Sequence, residues 1–133
     1  MSARHPRAVE WERRLWALFR EVDRVLEERY SGTWTRSDRR PAHGAIEDHE
    51  SSGLFNVGAT FSAGYGSAHG RGYVLQLSVG ATRPPSPGER RALEQEAADL
   101  VREALPRFFP GQRLEVSRDG ELWKIHGDLR LKA

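Results

Sequence analysis

The sequence predicts an α+β fold of two layers, in which a four-stranded antiparallel sheet carries two helices packed on one face. Two segments place apolar residues at the three- and four-residue spacing of an amphipathic helix. Four shorter segments alternate apolar and polar residues, as half-buried strands do. Their order along the chain is αββαββ, and packing both helices on one face of the sheet buries all of the apolar stripes.

The composition is that of a folded protein without cysteine. A length of 133 residues favours a single α+β domain over residues 1–133, with a core that needs no disulfide or metal. The formal net charge of +2 is too small to argue for nucleic-acid binding by itself. The N-terminus lacks a signal-peptide pattern and no apolar run is long enough to cross a membrane. We therefore expect a cytoplasmic protein with no membrane partner.

The first helix is predicted over residues 6–29. Pro6 suits its first turn, where a missing backbone N–H costs nothing. Its apolar stripe, which must face a core, consists of Trp11, Leu15, Leu18, Val22 and Val25.

Trp16 lies on the polar side of that helix, with Arg13 and Arg20 one turn away on either side. Tryptophan is enriched at the centres of interfaces, and guanidinium groups stack on its ring. We therefore expect these three residues to form a candidate interface with a second copy of the chain or with a protein partner. The alternative is that Trp16 lies along the surface beneath the arginine side chains, or is covered by the long loop that carries Trp34.

Residues 31–52 are predicted to form a long loop, because their few apolar residues are isolated among Gly, Pro, Ser, Asp and Arg. Loops of this length in compact domains are usually functional or disordered. The composition is compatible with a functional loop and with a partly disordered one.

The first two strands are predicted at residues 54–62 and 73–81, joined by a glycine-rich loop. Each has one apolar face and one face of small or polar residues. Tyr73 shares its face with Leu75 and Leu77, so its ring is expected to point into the core.

The second helix is predicted to start after Ser86, a serine N-cap followed by Pro87 at the first position and Glu89 at the third. It should weaken at Pro106 and stop before Pro110.

The last two strands are predicted to form a hairpin around a two-residue loop, Asp119 and Gly120. The resulting pairs are Val116 with Trp123, Leu114 with Ile125, and Glu115 with Lys124. In this register apolar residues face each other, and opposite charges do the same.

The second face of the sheet is predicted to be polar and open to solvent. Its members are Asn56, Thr60, Gln76, Ser78, Lys124, His126, Asp128 and Arg130. A carboxylate beside an imidazole tunes its pKa, so His126 and Asp128 would suit an acid–base pair. Alternation on a solvated strand produces the same pattern by default, and we favour that explanation.

Residues 41–82 are the most distinctive stretch, because Arg71 is their sole Lys or Arg and glycine is abundant. Binding groups tend to lie on loops held by a rigid scaffold. The candidate ligand-binding residues are His43, Asp48, His49, His69, Gly70 and Arg71. Glycine N–H groups can form an anion-binding nest, but the residues that complete phosphate-loop and dinucleotide motifs are absent. The glycine pattern by itself therefore favours an ordinary hairpin connection.

A metalloenzyme is one alternative. Imidazole suits Zn, Mn or Fe, so His43, His49 and His69 would be the metal ligands if they converged in space. Their spacing carries little information, since His43 and His49 do not match a helical pair.

An RNA-binding domain is the other alternative. It would use Arg71, Lys124 and Arg130 as phosphate-binding cations. Base stacking needs aromatic side chains on the open face of the sheet, whereas Tyr73 is expected on the core face.

Taken as a whole, the sequence favours a non-catalytic small binding or assembly module that self-associates, with the glycine-rich hairpin loop as its candidate binding surface. No nucleophile elbow, HExxH, EF-hand or phosphate-loop pattern occurs in the sequence. We therefore expect no cofactor and favour a protein that is not an enzyme.

Overall fold

The computed structural model describes residues 6–35, 53–64 and 69–127. The predicted order of elements is confirmed. The elements are α1 (Pro6–Tyr30), β1 (Phe55–Ser62), β2 (Gly72–Val79), α2 (Pro87–Phe108), β3 (Leu114–Asp119) and β4 (Leu122–Gly127). In these three ranges, neither helix is both long and apolar enough to cross a membrane.

The four strands form one antiparallel sheet in the order β1-β2-β4-β3. β1 and β2 pair along their whole length, from Phe55↔Val79 to Ser62↔Gly72. β2 meets β4 at Tyr73↔Ile125 and at Val74↔Lys124. The glycine-rich loop leaves β1 and enters β2 at the same end of the sheet, beside the centre of β4.

Both helices pack on one face of the sheet, and the predicted two-layer α+β fold is confirmed. The largest fully buried apolar side chains are Phe19, Phe55, Phe109, Leu18, Leu26, Ile125, Val22, Val57 and Val101. Trp11 joins the helices to the sheet, because its ring stacks on Tyr73 at 5.0 Å between centroids and also contacts Phe109 at 4.9 Å. Tyr73 therefore points into the core, as the strand alternation predicts.

Helix α2 begins with the predicted capping box. The backbone N–H of Glu89 donates to Ser86 Oγ, and the Glu89 carboxylate accepts from the Ser86 backbone N–H. The helix ends at Phe108, before Pro110 as expected. It continues through Pro106, where the sequence predicted that it would weaken.

The register of the last hairpin differs from the predicted one by two residues. Val116 pairs with Ile125 and Asp119 with Leu122, so the two-residue loop is Gly120 and Glu121. An Asp-Gly loop of type I′ would place Asp119 at positive φ. The described part of the chain has positive φ at glycines only, and Gly120 has φ 69°. Because the shift is an even number of residues, every side chain keeps its predicted face.

Helix α1 also covers the free edge of β1. The Asp23 carboxyl Oδ1 accepts from the Val57 backbone N–H at 2.7 Å, and Glu27 Oε1 accepts from the Leu54 N–H at 2.8 Å. Asp23 is 1% exposed, and this burial raises the pKa of its carboxyl to about 8, with a smaller contribution from the nearby Glu27 charge. The edge strand therefore makes its outward hydrogen bonds to the helix that covers it.

Candidate functional site

The face of the sheet turned away from the helices, which we name the polar sheet face, carries the predicted polar residues. Those within the described ranges are Asn56, Thr60, Gln76, Ser78, Lys124 and His126, and the register adds Gly58, Val74, Glu115 and Ser117. Asp128 and Arg130 lie outside the described residues. Contrary to expectation, this face is not simply open, because Asn56, Lys124 and His126 are buried.

Lys124 is buried by the end of the glycine-rich loop. The residue as a whole is 2% exposed. The ammonium group donates to the Gly70 carbonyl oxygen at 2.8 Å and pairs with the Asp119 carboxylate at 2.9 Å. A buried ammonium needs both a counter-charge and hydrogen-bond acceptors, and these two residues provide them.

His69 fastens the same loop to the sheet. Its backbone N–H donates to Asp119 at 3.4 Å, and its ring nitrogen Nε2 lies 2.9 Å from the Arg118 carbonyl oxygen. A carbonyl only accepts, so Nε2 carries the proton. The His69 ring stacks on His126 with 4.6 Å between ring centroids. We name His69, Gly70, Asp119, Lys124 and His126 the loop cluster.

His126 lies at the base of the loop cluster. Its Nε2 is 2.9 Å from the Ser117 hydroxyl oxygen, and its Nδ1 is 3.9 Å from the Glu115 carboxylate. Burial lowers the pKa of His126, as do the nearby His69 and Lys124, while Glu115 raises it. The neutral form of the His126 imidazole is thus favoured in the loop cluster.

Two glycines explain how the loop approaches so closely. A Cβ on Gly72 would come within 3.0 Å of the Ile125 carbonyl oxygen, and a Cβ on Gly64 would come within 3.0 Å of the Gly70 backbone. Gly64 also has φ 89°, which favours glycine. At these positions glycine permits the loop to pack against itself and the sheet.

The other end of the polar sheet face holds a cavity of about 220 Å³ between β1 and β2. Its lining residues are Asn56, Val57, Gly58, Gln76, Leu77 and Ser78. Asn56 pairs directly with Ser78, and Gly58 pairs with Gln76, so these four residues occupy the polar face while Val57 and Leu77 lie between them along the strands.

Asn56 is the unusual member of this cavity. Its side chain is recessed, with the residue 3% exposed, whereas Gln76 and Ser78 are exposed. Neither Oδ1 nor Nδ2 of Asn56 has a hydrogen-bond partner within the described ranges. A buried amide without partners costs about 1–3 kcal/mol of folding free energy. The Asn56 amide therefore lowers the stability of the folded protein unless another molecule supplies its hydrogen bonds.

Trp16 lies beside the same cavity. Its ring atoms Cζ3 and Cη2 lie 3.7 and 3.9 Å from the position that a Cβ on Gly58 would occupy. The ring also contacts Phe19 edge-on, at 5.6 Å between centroids. Trp16 is half-buried. Helix α1 lies along the edge of β1, and the Trp16 side chain therefore reaches the polar sheet face.

Comparison with known proteins places the chain in a family. The model of a family described as "Uncharacterised protein" matches residues 6–127. The chain belongs to this family. A relative described as "Uncharacterized protein" from Borreliella burgdorferi is 30% identical over 118 residues, which cover 89% of this chain and 92% of the relative. No solved structure matches the chain. The matched range includes both the loop cluster and the cavity.

The structure brings together part of the predicted ligand site. His69 and Gly70 belong to the loop cluster, and Arg71 is exposed beside it. His43, Asp48 and His49 lie outside the described residues, so their convergence with His69 stays a prediction. Among the described residues, no group of three or more His, Asp or Glu side chains is placed to hold a metal ion.

The predicted interface residues lie on α1. Arg13 is exposed and pairs with Glu10 at 3.4 Å, and Arg20 is exposed. Trp16 packs against Gly58 instead of standing away from the fold. An interface at this position stays a prediction.

The sequence predicted no site role for Asn56 or Asp119, and it predicted Lys124 only as a phosphate-binding cation. Strand alternation places Asn56 and Lys124 on the polar sheet face, but it does not show which of them a loop or helix will bury. The useful signal at Asn56 is the glycine at the next position of the same face, Gly58, which leaves space beside the amide. For Asp119, the incorrect hairpin register removed it from the strand.

Proposed function

We propose that the chain is a non-catalytic binding module whose ligand surface is the polar sheet face. The observation that carries this proposal is Asn56, a recessed carboxamide without hydrogen-bond partners among the described residues, in the wall of a cavity of about 220 Å³. A polar group retained in this way is characteristic of a binding site, where a ligand supplies the missing hydrogen bonds.

Binding is favoured over catalysis by the residues that line the cavity. Asn56, Gln76 and Ser78 supply amide and hydroxyl groups, and the other lining residues are Val57, Gly58 and Leu77. None of these six is a carboxylate, an imidazole or an amine, the groups that usually transfer protons in catalysis. The hydroxyl of Ser78 has no base among them to activate it.

The glycine-rich loop forms the other end of the binding surface. Its residues His69 and Gly70 use their hydrogen-bonding groups on Arg118 and Lys124. Arg71, which is exposed, remains accessible to a ligand on this surface. Lys124 is buried and paired with Asp119, so its ammonium group is not exposed for contact with nucleic-acid phosphates.

Self-association is part of the proposal. Trp16 is half-buried beside the cavity and is flanked by exposed Arg13 and Arg20, an arrangement that suits a contact bordering the ligand surface. Sedimentation equilibrium at tens of micromolar protein tests it. We expect a dimer or larger species that Trp16→Ala weakens, and a monomer at all concentrations would contradict self-association.

A fragment screen tests ligand binding by the polar sheet face. Isotope-labelled protein is mixed with a library of small polar fragments, and binding is read from the backbone amide resonances. We expect the shifted resonances to cluster on Asn56, Gly58, Gln76 and Ser78. Asn56→Leu should abolish these shifts, and the matched control Thr60→Val, on the same face of β1, should keep them. Shifts that cluster away from this face, or none at all, would refute the proposal.

A further inference from the structure

We infer that the cavity beside Asn56 binds an uncharged group that presents an adjacent hydrogen-bond donor and acceptor, such as a carboxamide, a lactam or the edge of a nucleobase. This inference rests on the proposed function and specifies its ligand class. It follows from the chemistry of the lining residues, the space beside Asn56 and the lack of charge there.

The side chain of Asn56 determines the pattern of the ligand. A carboxamide carries an acceptor oxygen and a donor NH₂ group side by side. Both are without partners among the described residues, and both are buried. A ligand that satisfies only one of them leaves the other unpaired in the cavity wall. The complementary group is therefore an N–H next to a carbonyl or ring nitrogen, the arrangement that asparagine recognises on adenine.

The charge of the cavity excludes ionic groups as the main recognition element. The six residues that line it are uncharged. The buried ammonium of Lys124, on the same face of the sheet, is already paired with Asp119 and Gly70. A carboxylate or phosphate placed against Asn56 would lose its hydration without gaining a counter-charge from these residues.

The volume of the cavity favours a small group. A volume of about 220 Å³ lies below the range of about 300–1,000 Å³ that is usual for drug-sized ligands. The edge of the Trp16 ring lies next to Gly58, outside the six lining residues. Exposed Gln76 and Ser78 lie at the solvent side, where a larger molecule that carries the bound group would extend.

Gly58 offers an independent way to fill the cavity without changing Asn56. A Cβ at this position would lie 3.7 Å from Trp16, which is ordinary van der Waals contact. Gly58→Ala should therefore fold normally while placing a methyl group on the cavity wall beside the amide.

Nuclear magnetic resonance titration with matched ligands tests the inference. The probes are uridine and propionamide, each paired with an analogue that lacks the N–H donor, N3-methyluridine and N,N-dimethylpropionamide. We expect the side-chain NH₂ resonances of Asn56 to shift, and the methylated analogues to bind at least about tenfold more weakly, the effect of losing one hydrogen bond to a buried group. Uridine and propionamide together distinguish a nucleobase source from a simple amide source.

Variants and further probes separate the possible failures. Asn56→Leu and Gly58→Ala should each weaken the binding of uridine or propionamide at least about tenfold, while Thr60→Val should not. Equal binding of each probe and its methylated analogue would overturn the inference. Preferential binding of glucose or inorganic phosphate would overturn it as well. If fragments bind the polar sheet face without this selectivity, the inference fails while the proposed function stands.

Discussion

Replacing Asp23 with asparagine should make the stability of the protein less sensitive to alkaline pH. Asp23 is buried between α1 and β1, and its carboxyl Oδ1 accepts a hydrogen bond from Val57. Burial raises the pKa of this carboxyl to about 8. The folded protein therefore holds a proton at neutral pH that the unfolded chain has already lost. Asp23→Asn keeps the acceptor oxygen and the size of the side chain but cannot ionise.

The magnitude follows from the two pKa values of Asp23. The carboxyl of an aspartate in an unfolded chain has a pKa of about 3.9. Between that value and the folded pKa of about 8, the free energy of unfolding falls by about 1.4 kcal/mol for each pH unit. Raising the pH from about 6.5 to about 9 covers roughly 1.5 pH units below the folded pKa. The ionisation of Asp23 should therefore lower the free energy of unfolding of the wild type by about 2 kcal/mol. The stabilising protonated form is present at low pH and lost as pH rises through the folded pKa.

Urea unfolding at about pH 6.5 and about pH 9 measures this effect. Asp23→Asn should lose about 2 kcal/mol less than the wild type between the two conditions. Asp99→Asn is the matched control, because the Asp99 carboxylate is exposed and pairs with Arg102 at the surface. That variant should keep the pH dependence of the wild type. Parallel profiles for the wild type and Asp23→Asn would refute the argument from burial.

Two further predictions concern Gly72, at the start of β2, and His126 of the loop cluster. Gly72→Ala should destabilise the protein by about 2 kcal/mol or more, because its Cβ would come within 3.0 Å of the Ile125 carbonyl oxygen. Thermal unfolding checks this, with Gly88→Ala as a control at a site with open space around the new methyl group. The lowered pKa of His126 means that the unfolded chain binds a proton at this residue more readily than the folded protein does. The stabilising contribution of neutral His126 is therefore present above the unfolded pKa and is lost as pH falls. His126→Gln removes this group and should reduce the loss of stability in acid. Unfolding between about pH 7 and about pH 5 measures it, and an unchanged acid profile in His126→Gln would contradict the assignment.

The order of the elements and the faces of the strands could be predicted because they depend on local patterns. Tyr73 is an example, since the alternation of β2 alone places its ring in the core against Trp11. The capping box at Ser86 and Glu89 is equally local. The predicted hairpin register was wrong because two different two-residue loops, Asp119-Gly120 and Gly120-Glu121, are possible within the same four residues. Sequence alone does not show that Asp119 stays in the strand and forms an ion pair with Lys124.

The site was less predictable because it depends on where distant segments meet. The glycine composition indicates a loop, but it does not show that His69 reaches Arg118 or that Gly70 covers Lys124. In the same way, helical periodicity places Trp16 on the polar side of α1, but it does not show that the helix lies along the edge of β1. The burial of Asn56 is a tertiary property, and no spacing rule predicts it.

The unfolding free energy of Asn56→Leu tests the central claim most directly, because it asks whether Asn56 is retained for a ligand or for the fold. Leucine has nearly the same shape and removes the buried amide without partners. We predict that this variant is more stable than the wild type by about 1–2 kcal/mol in urea unfolding, while Thr60→Val changes little. A loss of stability of similar size in Asn56→Leu would show that the amide supports the fold, and it would contradict the proposed binding site.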